Sequence, residues 1–337
     1  MLHLSAWPDR DDHDNGNGHP ERPTRVLAAL EGVRRAGLDD AVVKLPPRKA
    51  TRAELESVHA SSYLDWLEAA CRAGGGQVDG DTFISTGSWS TALEAAGGLL
   101  AVLDSMEATG AGVGFSCHRP PGHHATSDQA MGFCLLNNVA VAAAVLAGRG
   151  HRVLVVDWDV HHGNGTEAIF WDDPRVLYVS THQWPLYPGT GGTASLGGPN
   201  ALGANINVPL PAGATGDVLA MAFDEVLSPV VERFQPDWAL VSCGFDAHRD
   251  DPLAELSLTS ADFADLAARV AAWAPAGRTV VALEGGYDLA AISASAGAVC
   301  SALLGVPYRP EPLSSGGPGR AAVAGAAQWL RRQGVLP

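Results

Sequence analysis

The sequence predicts a single α/β domain built on a mostly parallel, buried sheet, and three observations carry that reading. Residues 152–166 read R-V-L-V-V-D-W-D-V-H-H-G-N-G-T, so an apolar run, Val153 to Val156, enters a cluster of Asp157, Asp159, His161 and His162. Uninterrupted runs of this kind suit parallel strands covered on both faces. Three further strand-like stretches, within 112–124, 238–251 and 279–287, also end in His, Asp or Tyr. Helical segments separate them, and no linker-like stretch divides the chain before about Pro310. One domain over residues 1–337 is therefore expected.

Apolar residues make up 46% of the chain, enough for a sizeable core. The formal net charge of −15 argues against a general nucleic-acid binder, because phosphate contacts need clustered Lys and Arg. Cysteines at 71, 117, 134, 243 and 300 form no C-x-x-C pair and leave an odd count. They read as core thiols of a cytoplasmic, reducing environment. The opening MLHLSAWPDRDDHDNG lacks a basic segment followed by an apolar one, so no signal peptide is expected. No uninterrupted apolar run is long enough for a membrane span.

In chain order, residues 9–23, DRDDHDNGNGHPERP, read as a loop, with His13 and His19 as structural or solvated histidines. Thr24 is placed as the cap of a helix to about 36. A second helix, in two parts, covers 51–73 and stops at Gly74-Gly75-Gly76. A loop through Asp79, Asp81 and Thr82 comes next, Asp81 reading either as a cleft residue or, the preferred reading, as a turn or capping residue, and then a helix over 88–107. The strand at 112–117 runs into H-R-P-P-G-H-H (118–124), where prolines and a glycine hold adjacent histidines in a fixed loop suited to acid–base groups. After M-G-F-C (131–134) come a helix over 137–147, the Val153–Val156 strand, a helix over 165–171 and a strand over 175–180. Residues 182–205 form a glycine-rich loop too long for a mere connection, and such loops usually carry function. A helix over 215–234, a strand over 238–243, a helix over 260–273 and a strand over 279–283 precede the Pro/Ser/Gly-rich link at 310–319 and a last helix at 321–333.

Alternate residues of an extended segment project to one side, so Asp157, Asp159 and His161 share a face if the strand runs on to the Gly163-Asn164-Gly165 turn. Open α/β sheets bind ligands at the carboxyl ends of their strands. Four strand ends bearing His, Asp or Tyr therefore point to one cleft. Asp159, His161 and Asp246 would hold a metal there with a position left open, the pattern of catalytic rather than structural sites. Nitrogen and oxygen donors without thiolate suit zinc, and also iron(II) or cobalt.

R-P-P-G-H-H-A (119–125), G-F-C-L-L-N-N (132–138), D-W-D-V-H-H-G-N-G-T (157–166), C-G-F-D-A-H-R-D-D-P-L (243–253) and E-G-G-Y (284–287) resemble the zinc-dependent histone deacetylase family in its class II-like bacterial branch. G-H-P-E-R-P-T-R (18–25) resembles that family's N-terminal motif. The likeness covers about residues 13–305, leaving 306–337 as a C-terminal extension. It implies the arginase-deacetylase fold, with one central, mostly parallel eight-stranded sheet and helices on both faces. It also implies zinc on Asp159, His161 and Asp246, and His124 as base to water and then acid to the leaving amine. His123 would assist, held by Asp157, and Asn164 would orient His124 where many class I relatives carry aspartate. Tyr287 would donate its hydroxyl to the oxyanion, a contribution commonly worth roughly 10² to 10³ in rate; some members carry histidine there and deacetylate poorly. Gly132, Phe133, Tyr187 and Leu253 correspond to the walls and rim of an acyl-lysine tunnel. Tyr187 stands where relatives often have phenylalanine, and Leu253 where polyamine-selective relatives have glutamate. A potassium ion near Asp157, Asp159, His161, Ser180 and Thr181 is a further expectation. The implied reaction removes an acetyl or other short acyl group from an amine such as acetyl-lysine and releases acetate.

Acetylpolyamines and small acylated metabolites are the alternative substrates. A dinuclear ureohydrolase on the same fold needs D-x-H-x-D and a later D-x-D, whereas Gly163 stands two residues after His161 and His248 two after Asp246. One metal per chain is expected. A silent acyl-ligand binding protein would lose Tyr287 or a metal ligand, and all are present. His248 either lines the rim or sits behind it, and the subunit number is not legible.

Overall fold

The computed structural model describes residues 1–8 and 12–337, so the first three positions of the 9–23 loop lie outside the described residues. In chain order the strands are β1 (Leu2–Ala6), β2 (Val42–Lys44), β3 (Gly76–Gln77), β4 (Phe83–Ile84), β5 (Val113–Cys117), β6 (Val153–Asp157), β7 (Val176–Gln183), β8 (Asn205–Leu210), β9 (Trp238–Cys243) and β10 (Thr279–Leu283). β3 and β4 form a small antiparallel hairpin. The other eight form one sheet in the order β2-β1-β5-β10-β9-β6-β7-β8, every pair parallel. This is the arginase-deacetylase fold, and the four site-bearing strands, β5, β10, β9 and β6, are its consecutive central strands.

Helices α1 (Thr24–Arg35), α2 (Arg52–Leu55), α3 (Ser61–Arg72), α4 (Ser88–Thr109), α5 (Asn138–Gly148), α6 (Asn164–Phe170), α7 (Gly216–Ala222), α8 (Ser228–Phe234), α9 (Ser260–Trp273), α10 (Leu289–Leu304) and α11 (Arg320–Arg332) cover both faces. Successive side chains of β6 divide between two cores. Val153 and Val155 pack with the residues of α3, α4 and α5, and Leu154 and Val156 with those of α7 to α11 and α1. Burial on both faces is why this strand is an apolar run rather than an alternation.

Several elements differ from expectation. β1, β2 and β8 carry no sequence signal strong enough to mark them. β1 alternates buried Leu2 and Leu4 with His3 and Ser5, whose side chains find partners inside the protein. β8 holds Pro209, tolerated because it is an edge strand. α10 is missed because it is apolar on nearly every side, which erases helical periodicity; the Asp288 side chain caps it by accepting from Ala291 N at 2.8 Å. Thr24 is the first residue of α1 rather than its cap, Pro23 taking that place. The 215–234 helix is α7 and α8 joined through a π-helical turn, Phe223–Leu227. β6 ends at Asp157, so the Asp159–His161 stretch is a bend and not an extended strand running on to Gly163.

Candidate active site

The chain leaves each of the four central strands at its carboxyl end and soon delivers a candidate site side chain: Asp159 two residues after β6, Asp246 three after β9, Tyr287 four after β10 and His124 seven after β5. Asp159 and Asp246 are fully buried beneath a cavity of about 370 Å³. Ligand atoms of Asp159, His161 and Asp246 all lie within 4.8 Å of one another. His161 Nδ1 sits 3.2 Å from both Asp159 Oδ1 and Asp246 Oδ2. Burial works to lower the His161 pKa, but its bonds to the two aspartates outweigh this and raise it to about 10. The imidazolium proton thus stands where a cation would compensate the pair.

The donor set fits a divalent metal. The aspartates' other hydrogen bonds come from main-chain amides, Gly285 N to Asp159 Oδ2 at 2.8 Å, His161 N to Asp159 Oδ1 at 2.9 Å and Val160 N to Asp246 Oδ1 at 2.9 Å, and His123 Nε2 stands 3.8 Å from Asp159 Oδ1. Glycines frame both carboxylates. A Cβ on Gly285 would stand 2.0 Å from Asp246 Oδ2, and one on Gly244 2.0 Å from Asp159 Oδ2. Two buried carboxylates this close need a compensating cation.

His123 and His124 lie side by side above this group, ring centroids 4.0 Å apart. His123 Nδ1 donates to Asp157 Oδ2 at 3.0 Å, and that oxygen also accepts the Tyr178 hydroxyl at 3.1 Å. Burial acts to lower the His123 pKa, but the charges of Asp159 and Asp157 outweigh it and raise it well above the ordinary imidazole range. His124 is opposite: burial, then the charges of His123 and His161, push its pKa well down. Asn164 Oδ1 lies 2.8 Å from His124 Nδ1, and its amide nitrogen donates to Met131 Sδ at 3.4 Å, which orients the amide. A neutral His124 with its proton on Nδ1 leaves Nε2 as an acceptor.

Tyr287 lines the opposite wall, its ring edge-on to Phe133 at 5.8 Å. Burial holds its hydroxyl well above the ordinary range, so it remains a donor. Gly132, Phe133, Tyr187 and Leu253 line the same cavity. Gly132 (φ 55°) and Phe133 (φ 67°) are both left-handed. A Cβ on Gly132 would come within 2.4 Å of His124 Cδ2, so only glycine allows this wall. The strained Phe133 backbone is pinned by its N–H to Thr82 Oγ1, 3.0 Å.

The long loop contributes through Leu186 and Tyr187, which reach the cavity. Elsewhere it is tied down: Thr190 Oγ1 to His162 Nδ1 at 2.8 Å, and Gly191 O to His182 Nε2 at 3.0 Å. Ser180 lies opposite Asp157 in the β6–β7 pairing, and Thr181 is buried beside it. His248 does not line the cavity. It is buried, with Nε2 2.9 Å from Glu311 Oε2, and so clasps the C-terminal link.

Sequence reasoning missed several residues. His19, read as a loop histidine, and Asp81, read in preference as a turn residue rather than a cleft residue, both line the cavity mouth, where His19 packs edge-on against Phe133 at 4.7 Å. His13 is fully buried on Ser88 Oγ at 2.7 Å, the structural one of its two readings. Behind Tyr287 lies a buried network of charge. Arg119 grips Glu21 through two bonds of 2.6 and 2.9 Å, and Glu21 also pairs with Arg25 at 3.2 Å. Burial acts to raise the Glu21 carboxyl, but the arginines, Arg119 foremost, hold it at about 2. Arg25 donates to the carbonyls of Gly286, at 2.6 Å, and Glu284, with its guanidinium 4.9 Å from the Tyr287 ring centroid. Close packing brings α1 there: a Cβ on Gly32 would stand 2.0 Å from Ser293 O of α10. The only forward signal was G-H-P-E-R-P-T-R, in which Glu21 and Arg25 stand one helical turn apart.

Comparison with known proteins agrees with this architecture. Residues 19–303 match the histone deacetylase domain, and the chain belongs to that family of hydrolases. It is 39% identical over 283 residues to a probable deacetylase of Archaeoglobus fulgidus, covering 82% of this chain and 79% of that protein. It is 40% identical over 297 residues to the histone deacetylase-like amidohydrolase of Pseudomonas aeruginosa, covering 86% and 78%. The crystal structure of the HDA15 HD domain superposes with a TM-score of 0.89 at 35% identity, covering 98% of this chain and 94% of that one.

Proposed function

We propose that the protein is a zinc-dependent amidohydrolase that removes an acetyl or other short acyl group from an amine of the acetyl-lysine type. The observation that carries this is the meeting of Asp159, His161 and Asp246 with His124 and Tyr287 about one narrow cavity. Asp159, His161 and Asp246 would hold the ion; their nitrogen and oxygen donors favour zinc and also accommodate iron(II) or cobalt. When bound, such a cation polarises the acyl carbonyl and acidifies water.

The protein's own groups account for the remaining steps. His124 Nε2 accepts a proton from the attacking water as its oxygen bonds to the acyl carbon. Tyr287 donates its hydroxyl to the acyl oxygen as negative charge develops there. The C–N bond then breaks, the proton passes from His124 to the leaving nitrogen, and acetate and the free amine depart. His123, held by its hydrogen bond to Asp157, assists electrostatically, and Asn164 keeps His124 in the required tautomer. Gly132, Phe133, Tyr187 and Leu253 would form the walls and rim of the acyl tunnel. Leu253 offers no carboxylate for a distal ammonium, which favours acyl-lysine over acylpolyamine. A structural potassium ion beside Asp157, Asp159, His161, Ser180 and Thr181 belongs to the same reading. Five unpaired, buried cysteines support a reducing, cytoplasmic setting.

The test is hydrolysis by the zinc-loaded protein of an acetyl-lysine peptide, N-acetylputrescine and an acetylated sugar amine, with Tyr287→Phe as control. Peptide turnover that disappears in the control supports the reading. Turnover of the sugar amine alone would move it to a metabolite deacylase, and silence with zinc bound would move it to an acyl-ligand binding protein.

A further inference from the structure

A second pocket, of about 390 Å³, is lined in part by two segments that also wall the candidate active-site cavity. The two share a partition. Asp81 and Thr82, in the turn of the β3–β4 hairpin, stand on the catalytic side, Asp81 lining the mouth and Thr82 holding the Phe133 amide. Val78, bonded through its N–H to Thr82 O at 2.8 Å, faces the second pocket. The 128–133 segment is likewise common to both, with Ala130 lining one pocket and Gly132 the other. Two residues of chain span at most about 7 Å.

The second pocket presents a fixed aromatic face and a carboxylate. Tyr63 is buried and its hydroxyl donates to Leu135 O at 2.6 Å. Trp66 stacks on it, 5.8 Å between centroids and 27° between planes, yet remains 46% exposed. Asp128 stands across the opening and is exposed, its carboxylate taking the Thr126 hydroxyl at 3.0 Å. Ser62, Val78, Gln129 and Ala130 complete the lining, so no basic side chain stands among the residues that form it. A held indole face beside an unneutralised carboxylate attracts a cation through both the ring and the charge.

We infer that the Trp66–Asp128 pocket is a substrate subsite for a cationic side chain, arginine foremost, two residues from the acyl-lysine of a peptide. The inference rests on the acyl-lysine reading above. The spacing comes from the partition, because side chains two residues apart in an extended peptide project to the same side about 7 Å apart. Arginine suits the pocket better than lysine, since its planar guanidinium stacks on an aromatic face while still pairing with a carboxylate.

The test compares acetyl-lysine peptides carrying arginine, glutamine or glutamate two residues before or after the acyl-lysine, beside a minimal acetyl-lysine substrate with no flanking residues. In one of the two directions the arginine peptide should show a KM about fivefold below that of its glutamine counterpart. Trp66→Ala and Asp128→Asn should each remove most of that preference while leaving kcat and the minimal substrate unchanged. A protein that hydrolyses the minimal substrate but treats the three peptides alike overturns the subsite and leaves the deacylase reading standing. Calorimetric binding of the same peptides separates the two claims if turnover is absent: arginine-dependent affinity lost in Asp128→Asn supports the subsite, and equal affinity overturns it. Variants that weaken N-acetylspermidine and no peptide would overturn the peptide assignment in favour of a polyamine.

Discussion

Asp251 Oδ2 accepts the backbone N–H of Tyr287 at 2.7 Å, while Oδ1 of the same carboxylate accepts that of Leu253 at 3.0 Å. One side chain thus ties Tyr287, 36 residues further along the chain, to the cavity rim. Asp251→Ala should lower kcat about 10- to 100-fold with metal content unchanged, since misplacement of a reacting group by an ångström costs on this scale. Asp251→Asn, which keeps the shape and one acceptor oxygen, should recover part of the loss. Steady-state kinetics beside metal analysis decides it, and an unaltered kcat in the alanine variant would remove Asp251 from the arrangement.

Tyr287→Phe should retain its metal and its KM within a few-fold while kcat falls about 10² to 10³. The ring packing against Phe133 survives the change and only the hydroxyl is lost. A kcat equal to that of the unmodified protein would take the tyrosine out of the chemistry.

Asp246→Ala should lose metal and activity together. Atomic emission on the purified variant reads the first, and occupancy near one ion per chain would refute the ligand assignment. Chelator-treated protein should regain activity with zinc, iron(II) or cobalt but not with magnesium, which prefers an all-oxygen octahedral set.

Stability should fall as the pH drops from about 6.5 to about 4. Burial lowers the pKa of His59 and of His118 to about 4. His59 Nε2 accepts the Asn137 N–H at 2.9 Å, so protonation there would break the start of α5. The unfolded chain takes up these protons first as pH falls, so the contribution is complete above the unfolded pKa and is lost between the two values. Each histidine would cost on the order of 3 kcal/mol once the loss is complete. Denaturant midpoints from pH 7.5 to 4.5 check this, with His118→Asn flattening the slope; identical slopes in variant and parent would exclude His118 as a contributor.

The candidate constellation was legible because its residues lie just beyond strands that declare themselves. Val153–Val156 and Trp238–Val241 are apolar runs buried on both faces, and parallel sheets gather function at the carboxyl ends of such strands. Asp159, His161 and Asp246 came from that rule and the motif spacing, and the parts proposed for His123, His124 and Tyr287 came from the family resemblance. Asp251 and Arg25 did not come from it. Their importance lies in which backbone amide or carbonyl they meet 36 and 261 residues away, and no local pattern encodes that.

The same division holds for the fold. A parallel α/β domain was legible in the sequence, since short apolar runs such as Val153–Val156, set between helical segments and ending in polar side chains, suit strands covered on both faces. Which four strands stand side by side, and that Arg25 on the first helix reaches the Tyr287 loop through the Gly32–Ser293 contact, was decided only by tertiary packing. Local propensity sets what a segment is. The meeting of distant segments depends on shape and on the cost of leaving buried charge unpaired, and both are properties of the assembled molecule.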